Sequence, residues 1–323
     1  QRGLAHFLEH MAFNGTKHYP DKKLINYLET IGVKFGAHIN AYTGVDQTVY
    51  MVSDVPTQRT STIDSCLLIL RDWSDAILLE AEAIDKERDV IEEEWRITQS
   101  AFKRQAEQIF PDIYGRDKYV DCMPIGHIDV IRNFSHQTLR DYYHAWYRPD
   151  LQGIVVVGDI DVKRTEANIK ELFDDAKVPE GAPERVYYPV SDYEQPVITF
   201  SKDDETPYVL LHLSQRIPDI PLPIKQTVEG MQQSFIRYAT TYMLNERFNQ
   251  LVKQPNSPLG EIDVHYDQFY FSKIEKTFEI SALISPEKVN EAIQLILTER
   301  RRMYQHGFTQ AELERAKAEF LAN

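Results

Sequence analysis

His6-Phe7-Leu8-Glu9-His10, near the head of a 323-residue chain, is the stretch on which the reading of the fold and its chemistry turns. On a helix the two histidines stand i, i+4 and project the same way, because four residues at about 100° each overshoot a full turn by only about 40°. Glu9 lies three residues after His6, so its carboxylate reaches the same spot. Two neutral imidazoles and one carboxylate converging on a point suit a zinc ion with an activated water.

Bulk composition bounds what surrounds this stretch. The length allows two domains of about 150 residues each, and 42% hydrophobic with 27% charged residues is a globular composition. Lys plus Arg number 36 against 50 Asp plus Glu, a net charge of −14. That balance argues against nucleic acid or an anionic membrane as the main partner and is compatible with attracting basic peptides. Cys66 and Cys122 form no Cys-x-x-Cys pattern and support neither a disulfide framework nor a thiolate metal site. No run approaches about 18 apolar residues, so no membrane span is expected. The chain opens on Gln1-Arg2-Gly3 and stops inside the helical pattern Ala311–Asn323. It is therefore expected to be a piece of a longer protein, and the lack of a targeting signal carries no weight.

Periodicity and breakers predict an α+β fold of two consecutive domains, residues 1–180 and 185–323, each a mainly antiparallel sheet packed with helices. Residues 36–43 and 46–53 alternate apolar with polar side chains around Gly44-Val45 and predict a hairpin. The segment from Ala81 to about Gln108 lacks Gly and Pro and predicts one long helix, with Pro111 as a breaker beyond it. Ser135 predicts an N-cap for a helix over 137–146. The runs 153–158 and 197–201 predict strands, and 178–184, with two Pro and one Gly, predicts a linker.

A zinc site built on His6 and His10 needs one more protein ligand. The helix over 84–96 is the obvious supplier: Glu87 and Glu94 stand seven residues apart, on one face and about 10.5 Å apart along the axis. Ile84, Val90 and Ile91 are expected to pack inward while that acidic face meets the histidine helix. The remaining histidines lack i+4 partners and predict surface or hydrogen-bonded roles.

Taken together, these blocks resemble the pitrilysin/insulinase metallopeptidases, whose His-x-x-Glu-His order defines the inverzincins. The likeness is greatest to bacterial periplasmic members related to the pyrroloquinoline-quinone-associated peptidases. It rests on Gly3–Thr16, on Asn40-Ala41-Tyr42-Thr43 with Thr48-Val49-Tyr50, on Glu87–Arg96, on Pro124-Ile125-Gly126 and on Tyr143–Asp161. These blocks cover residues 1–175 densely; from 185 onward only the order of elements is shared.

The resemblance implies that His6 and His10 are zinc ligands and that Glu9 is the general base activating water at the zinc. It also implies a third ligand on the long helix, with an acidic residue seven positions earlier orienting a ligand histidine. The local Glu-Arg-x-Val pattern assigns the ligand to Glu94 and the orienting residue to Glu87. A spacing of about 77 residues after the second histidine, found in several members, counts instead to Glu87, and Glu93 is a further alternative. Asn40, Ala41 and Tyr42 are implied as a sheet edge that takes up substrate as an added strand. The implied function is a zinc endopeptidase acting on peptides or small unfolded proteins in the bacterial periplasm or cell envelope, with the cytoplasm as the alternative. The other reading is a non-catalytic peptide-binding or structural subunit, or a fragment needing a second homologous half for activity.

Overall fold

Leu4, Phe7, Leu8 and Met11 form an apolar stripe on the helix that carries the motif, and all four are buried. The computed structural model describes residues 2–115, 117–186, 188–269, 272 and 275–322. It divides into two units, Gln1–Lys103 with Tyr114–Tyr188 and Arg104–Ile113 with Pro189–Asn323. Helices and small antiparallel sheets mix in both, the α+β class expected from the sequence.

The first unit begins with α1 (Leu4–Met11) and α2 (Lys23–Thr30), followed by the hairpin β1 (Ile39–Thr43) and β2 (Thr48–Val52). Ala41 pairs with Tyr50 and Thr43 with Thr48, and the Gly44 amide closes the turn on the Gln47 carbonyl at 2.8 Å. Then come α3 (Thr60–Asp75), α4 (Ala81–Ile97), α6 (Ile128–Asn133), α7 (His136–Trp146) and α8 (Val162–Leu172); α5 (Ala101–Tyr114), between α4 and α6 in the chain, belongs through Arg104–Ile113 to the second unit. Phe7, Leu8, Leu24, Ile39, Ile69, Ile84, Ile91 and Leu139 share one core. Ser135 caps α7 as expected, its side chain accepting from the Thr138 amide.

The second unit holds β3 (Val209–Pro218), α9 (Leu222–Lys225), α10 (Val228–Val252), β4 (Leu259–Gln268), β5 (Glu275–Ile284), α11 (Val289–His306) and α12 (Gln310–Ala322). Its antiparallel sheet has the order β3-β5-β4. Ile280, Ala282 and Ile284 alternate along β5 and pack with Leu244 and Phe248 of α10 and Ala292 and Ile296 of α11.

Several expectations are corrected. The long helix from Ala81 is two helices, α4 and α5, because Ser100 adopts extended backbone and its side chain caps α5 by accepting from the Lys103 amide. Pro111 lies inside α5 rather than ending it. Residues 153–158 and 197–201 form no strand: their apolar pattern favours extended chain, but a ladder needs a partner and they have none among the described residues. Val155, Val157 and Phe200 are accordingly exposed. Val90 is half-exposed, because the inward stripe of α4 is Ile84, Glu87, Ile91 and Glu94, at helical i, i+3, i+7, i+10 spacing.

Two glycines set where α1 starts. Gly3 precedes it at φ 109°, and Gly126, at φ 72°, lies against it so closely that a Cβ on Gly126 would stand 2.1 Å from the Arg2 carbonyl oxygen and 2.4 Å from Gly3 Cα. The His127 amide donates to the same Arg2 carbonyl at 3.2 Å. Gly126→Ala is expected to destabilise the chain by about 1–3 kcal/mol or more from backbone strain alone. Gly153→Ala, where the added Cβ meets nothing within 4 Å, is expected to stay within about 0.5 kcal/mol of wild type. Urea unfolding of the two variants checks this contrast.

Candidate metal centre

The geometry of α1 follows from its amphipathicity. Burying Leu4, Phe7, Leu8 and Met11 turns His6 and His10 along one flank, with ring centroids 4.7 Å apart. On α4, Ile84 and Ile91 are wholly buried, and the two glutamates between and beyond them face the histidines. Arg88 fixes α4 in place: its guanidinium donates to the Ile131 and Phe134 carbonyls at the end of α6 and lies over the Phe134 ring, 4.1 Å from its centroid. Phe134 in turn packs edge-on against Phe7 of α1 at 4.8 Å.

Three expected site residues meet at one point. Glu94 Oε1 lies 3.4 Å from His6 Nε2 and Glu94 Oε2 lies 3.3 Å from His10 Nε2. The ligand-type atoms of His6, His10 and Glu94 all fall within 4.8 Å of one another, and among the described residues no other His/Cys/Asp/Glu group meets that test. Two imidazole nitrogens and a carboxylate oxygen are a zinc-type donor set, and the convergence of both Nε2 atoms on one carboxylate fits such an ion. Glu87 sits elsewhere: its Oε1 is 2.7 Å from His10 Nδ1, behind the ring. Glu93 points away and pairs with Arg96.

Glu9 is nearly buried beside this cluster and accepts from the Thr43 hydroxyl of β1 at 2.5 Å through Oε2. Asn40, Ala41 and Tyr42 lie on β1, whose only ladder partner among the described residues is β2. Asn40 and Tyr42 are exposed, whereas Ala41 and Thr43 alternate to the same side as buried Ile39. Sequence reasoning missed Thr43 as a site residue, although strand alternation alone puts it on the inward side of β1. It also missed Asn14, whose amide donates to Glu87 Oε2 at 2.6 Å.

Charge is tuned by burial and by these contacts. Burial holds His6 below the ordinary histidine range, against the attraction of Glu94. Burial also acts downward on His10, but hydrogen bonds to Glu87 and Glu94 together outweigh it and bring its pKa up to about 9. Burial raises Glu9, partly offset by the Thr43 hydrogen bond. Glu94 is held low chiefly by its hydrogen bond to His10. For Glu87, burial acts upward, but hydrogen bonds from His10 and Asn14 win and lower it. Behind His6 there is no such support: its Nδ1 is buried without a hydrogen-bond partner among the described residues.

Known proteins carry the same arrangement of elements. The family model for Insulinase (Peptidase family M16) matches residues 1–118, and that for the Peptidase M16 inactive domain matches residues 133–320. The chain belongs to peptidase family M16. Among its M16 relatives, the probable zinc protease PqqL of Escherichia coli (strain K12) is 33% identical over 98% of this chain and 33% of its own length. The probable zinc protease PqqL of Haemophilus influenzae is 29% identical over 97% of this chain and 33% of its own length. The crystal structure of the periplasmic protease PqqL from Escherichia coli superposes with a TM-score of 0.86 at 28% identity, covering 99% of this chain and 35% of that one. The structure of the first half of the same protease gives 0.85 at 29% identity, covering 99% of this chain and 67% of that one. The M16 chain described here thus spans about a third of the length of these curated relatives.

The protonation pattern predicts how metal uptake proceeds. Near neutral pH, His6 is already neutral and Glu94 already ionised, whereas His10, with a pKa of about 9, keeps a proton that must leave before Nε2 can bind a cation. Zinc binding near neutral pH is therefore expected to release about one proton from the ligands. Calorimetric titration in buffers of differing ionisation enthalpy measures that number; release of none would contradict the charge assignment.

Proposed function

We propose that this chain carries the zinc centre of an endopeptidase acting on peptides or small unfolded proteins, with His6, His10 and Glu94 as ligands and Glu9 as general base. The observation that carries the reading is the convergence of both Nε2 atoms on the Glu94 carboxylate with the Glu9 carboxyl beside them. The zinc-protease names of the M16 relatives support the choice of metal. Zinc, when bound, supplies Lewis-acid polarisation of a carbonyl and lowers the pKa of a coordinated water.

The remaining steps belong to side chains of this chain. Thr43 occupies Glu9 Oε2 and leaves Oε1 as the oxygen that takes the proton from the attacking water. Burial, which favours the neutral form of Glu9, suits it to hold that proton and then pass it to the leaving amine. Glu87 holds His10 from behind, 2.7 Å from Nδ1, which suits donation of Nδ1–H to the carboxylate, so that loss of the other ring proton would free the Nε2 lone pair for the metal. A substrate segment in extended conformation would add to the free edge of β1, to which Ala41 turns its main-chain groups, while Asn40 and Tyr42, whose backbone faces β2, would flank it with their exposed side chains.

A site of action in the bacterial periplasm or cell envelope is supported by the description of Escherichia coli PqqL as a periplasmic protease. No helix of the described residues is long and apolar enough to cross a membrane. The chain's share of its relatives' length, and the name of the model matching residues 133–320, favour a second requirement: a further homologous half, in the same protein or a partner, for efficient turnover.

Two measurements test the reading. Glu94→Ala is expected to abolish stoichiometric zinc binding, and unchanged zinc content would remove Glu94 from the ligand set. In a form that cleaves a fluorogenic peptide, Glu9→Gln is expected to lower kcat by about 10²–10⁴-fold with zinc content retained. A Glu9→Gln variant with near wild-type turnover would contradict the assignment of the base.

A further inference from the structure

Glu87 has two oxygens, and only one of them is used by His10. Oε2 accepts from Asn14 Nδ2 at 2.6 Å, while Oε1 lies 2.7 Å from His10 Nδ1. A glutamate carboxyl rotates broadly about its last torsion. With one partner, its plane could swing and take Oε1 off the imidazole; with two partners on opposite oxygens, it cannot. Glu87 is also largely buried, its side chain 13% exposed, so an unbonded Oε2 would carry a desolvation cost.

Asn14 is itself held ready. It follows α1 by three residues, its amide donating to the Met11 carbonyl at 3.1 Å. Beyond it, Gly15 accepts from the Leu78 amide at 3.1 Å. Next, Thr16 donates its hydroxyl to the wholly buried Asp72 at 2.6 Å, and His18 donates its amide to the same carboxylate at 2.9 Å. The loop is thus pinned to α3 immediately after Asn14, so little conformational entropy is lost in aiming the side chain. A carboxamide also supplies a donor without charge. The Glu87 and Glu94 carboxylates can then balance a divalent cation, whereas a lysine or arginine in that place would oppose it.

We propose that Asn14 is a positioning residue of the metal centre, clamping Glu87 so that His10 presents Nε2 to the metal in a fixed tautomer and orientation. The proposal rests on the zinc reading above and concerns the next contact outward from it.

The test is zinc affinity, measured on the 323-residue chain by competition with a chromophoric chelator. It compares wild type, Asn14→Leu and Asn14→Ala, each with Glu87 intact and in a Glu87→Ala background. Far-UV circular dichroism and thermal unfolding of the metal-free forms check the fold. With Glu87 present, Asn14→Leu is expected to weaken zinc binding about tenfold, the lower end of what loss of an outer hydrogen-bond partner costs. In the Glu87→Ala background the same change is expected to alter it by less than about twofold, because Asn14 then has nothing to position. Nitrogen-15 and proton spectra of the zinc-loaded chain should show the His10 Nδ1–H signal moving toward that of a weaker hydrogen bond in Asn14→Leu, a change that a purely structural role would not produce. An unchanged affinity in folded Asn14→Leu and Asn14→Ala overturns the proposal, as does an equal loss in both backgrounds. Failure of both variants to fold overturns it too, since Asn14 would then serve the loop rather than Glu87. Absence of stoichiometric zinc binding by the wild type would instead sink the underlying zinc reading, so the two failures are told apart.

Discussion

The packing of α1 against the Ile84-Glu87-Ile91-Glu94 stripe of α4 is the contact on which the rest of the site depends. Two isoleucines with no exposed surface seat the helix, and the two glutamates of the same stripe are thereby delivered to opposite nitrogens of His10. Neither helix would bury a carboxylate alone, because an unpaired ionised group away from water is costly. The histidines and glutamates make each other tolerable. Arg88, reaching the end of α6, and Gly126, touching the backbone before α1, hold the two helices in register from outside.

The same contact explains the electrostatics. Glu87 and Glu94 raise His10 while burial depresses His6, so two chemically identical side chains four residues apart differ in protonation. The acidic surplus around the Nε2 atoms is what a divalent cation would neutralise. Glu9, in the adjoining and drier position, is pushed toward its neutral form and tied by Thr43 to β1. The strand edge proposed for substrate and the proposed base are therefore parts of one hydrogen-bonded unit.

Much of this was legible in the sequence. The i, i+4 spacing of His6 and His10 and the seven-residue spacing of Glu87 and Glu94 are helical arithmetic, and a core built on Phe7, Leu8, Ile84 and Ile91 forces the two faces together. The hairpin was legible from alternation around Gly44. Other features were not, because they depend on partners distant in sequence. Residues 153–158 read as a strand, but strand character is a property of a pair. Val90 read as core, but the crossing with α1 selects which of two neighbouring apolar residues turns inward. The break at Ser100 was signalled by a good capping residue within a run otherwise favouring helix. Asn14 carried no signal of its own in the sequence; that it reaches Glu87, 73 positions away, follows only from the three-dimensional path.

The central claim is that α1 and α4 together form a zinc site with Glu94 as its third ligand. A crystal structure of the zinc-loaded chain, with anomalous difference maps collected on both sides of the zinc absorption edge, tests it most directly. The account predicts one zinc-specific peak bonded to His6 Nε2, His10 Nε2 and a Glu94 oxygen, with Glu87 still on His10 Nδ1. A peak coordinated by Glu87 or Glu93 in place of Glu94, or zinc bound away from the two histidines, would contradict it.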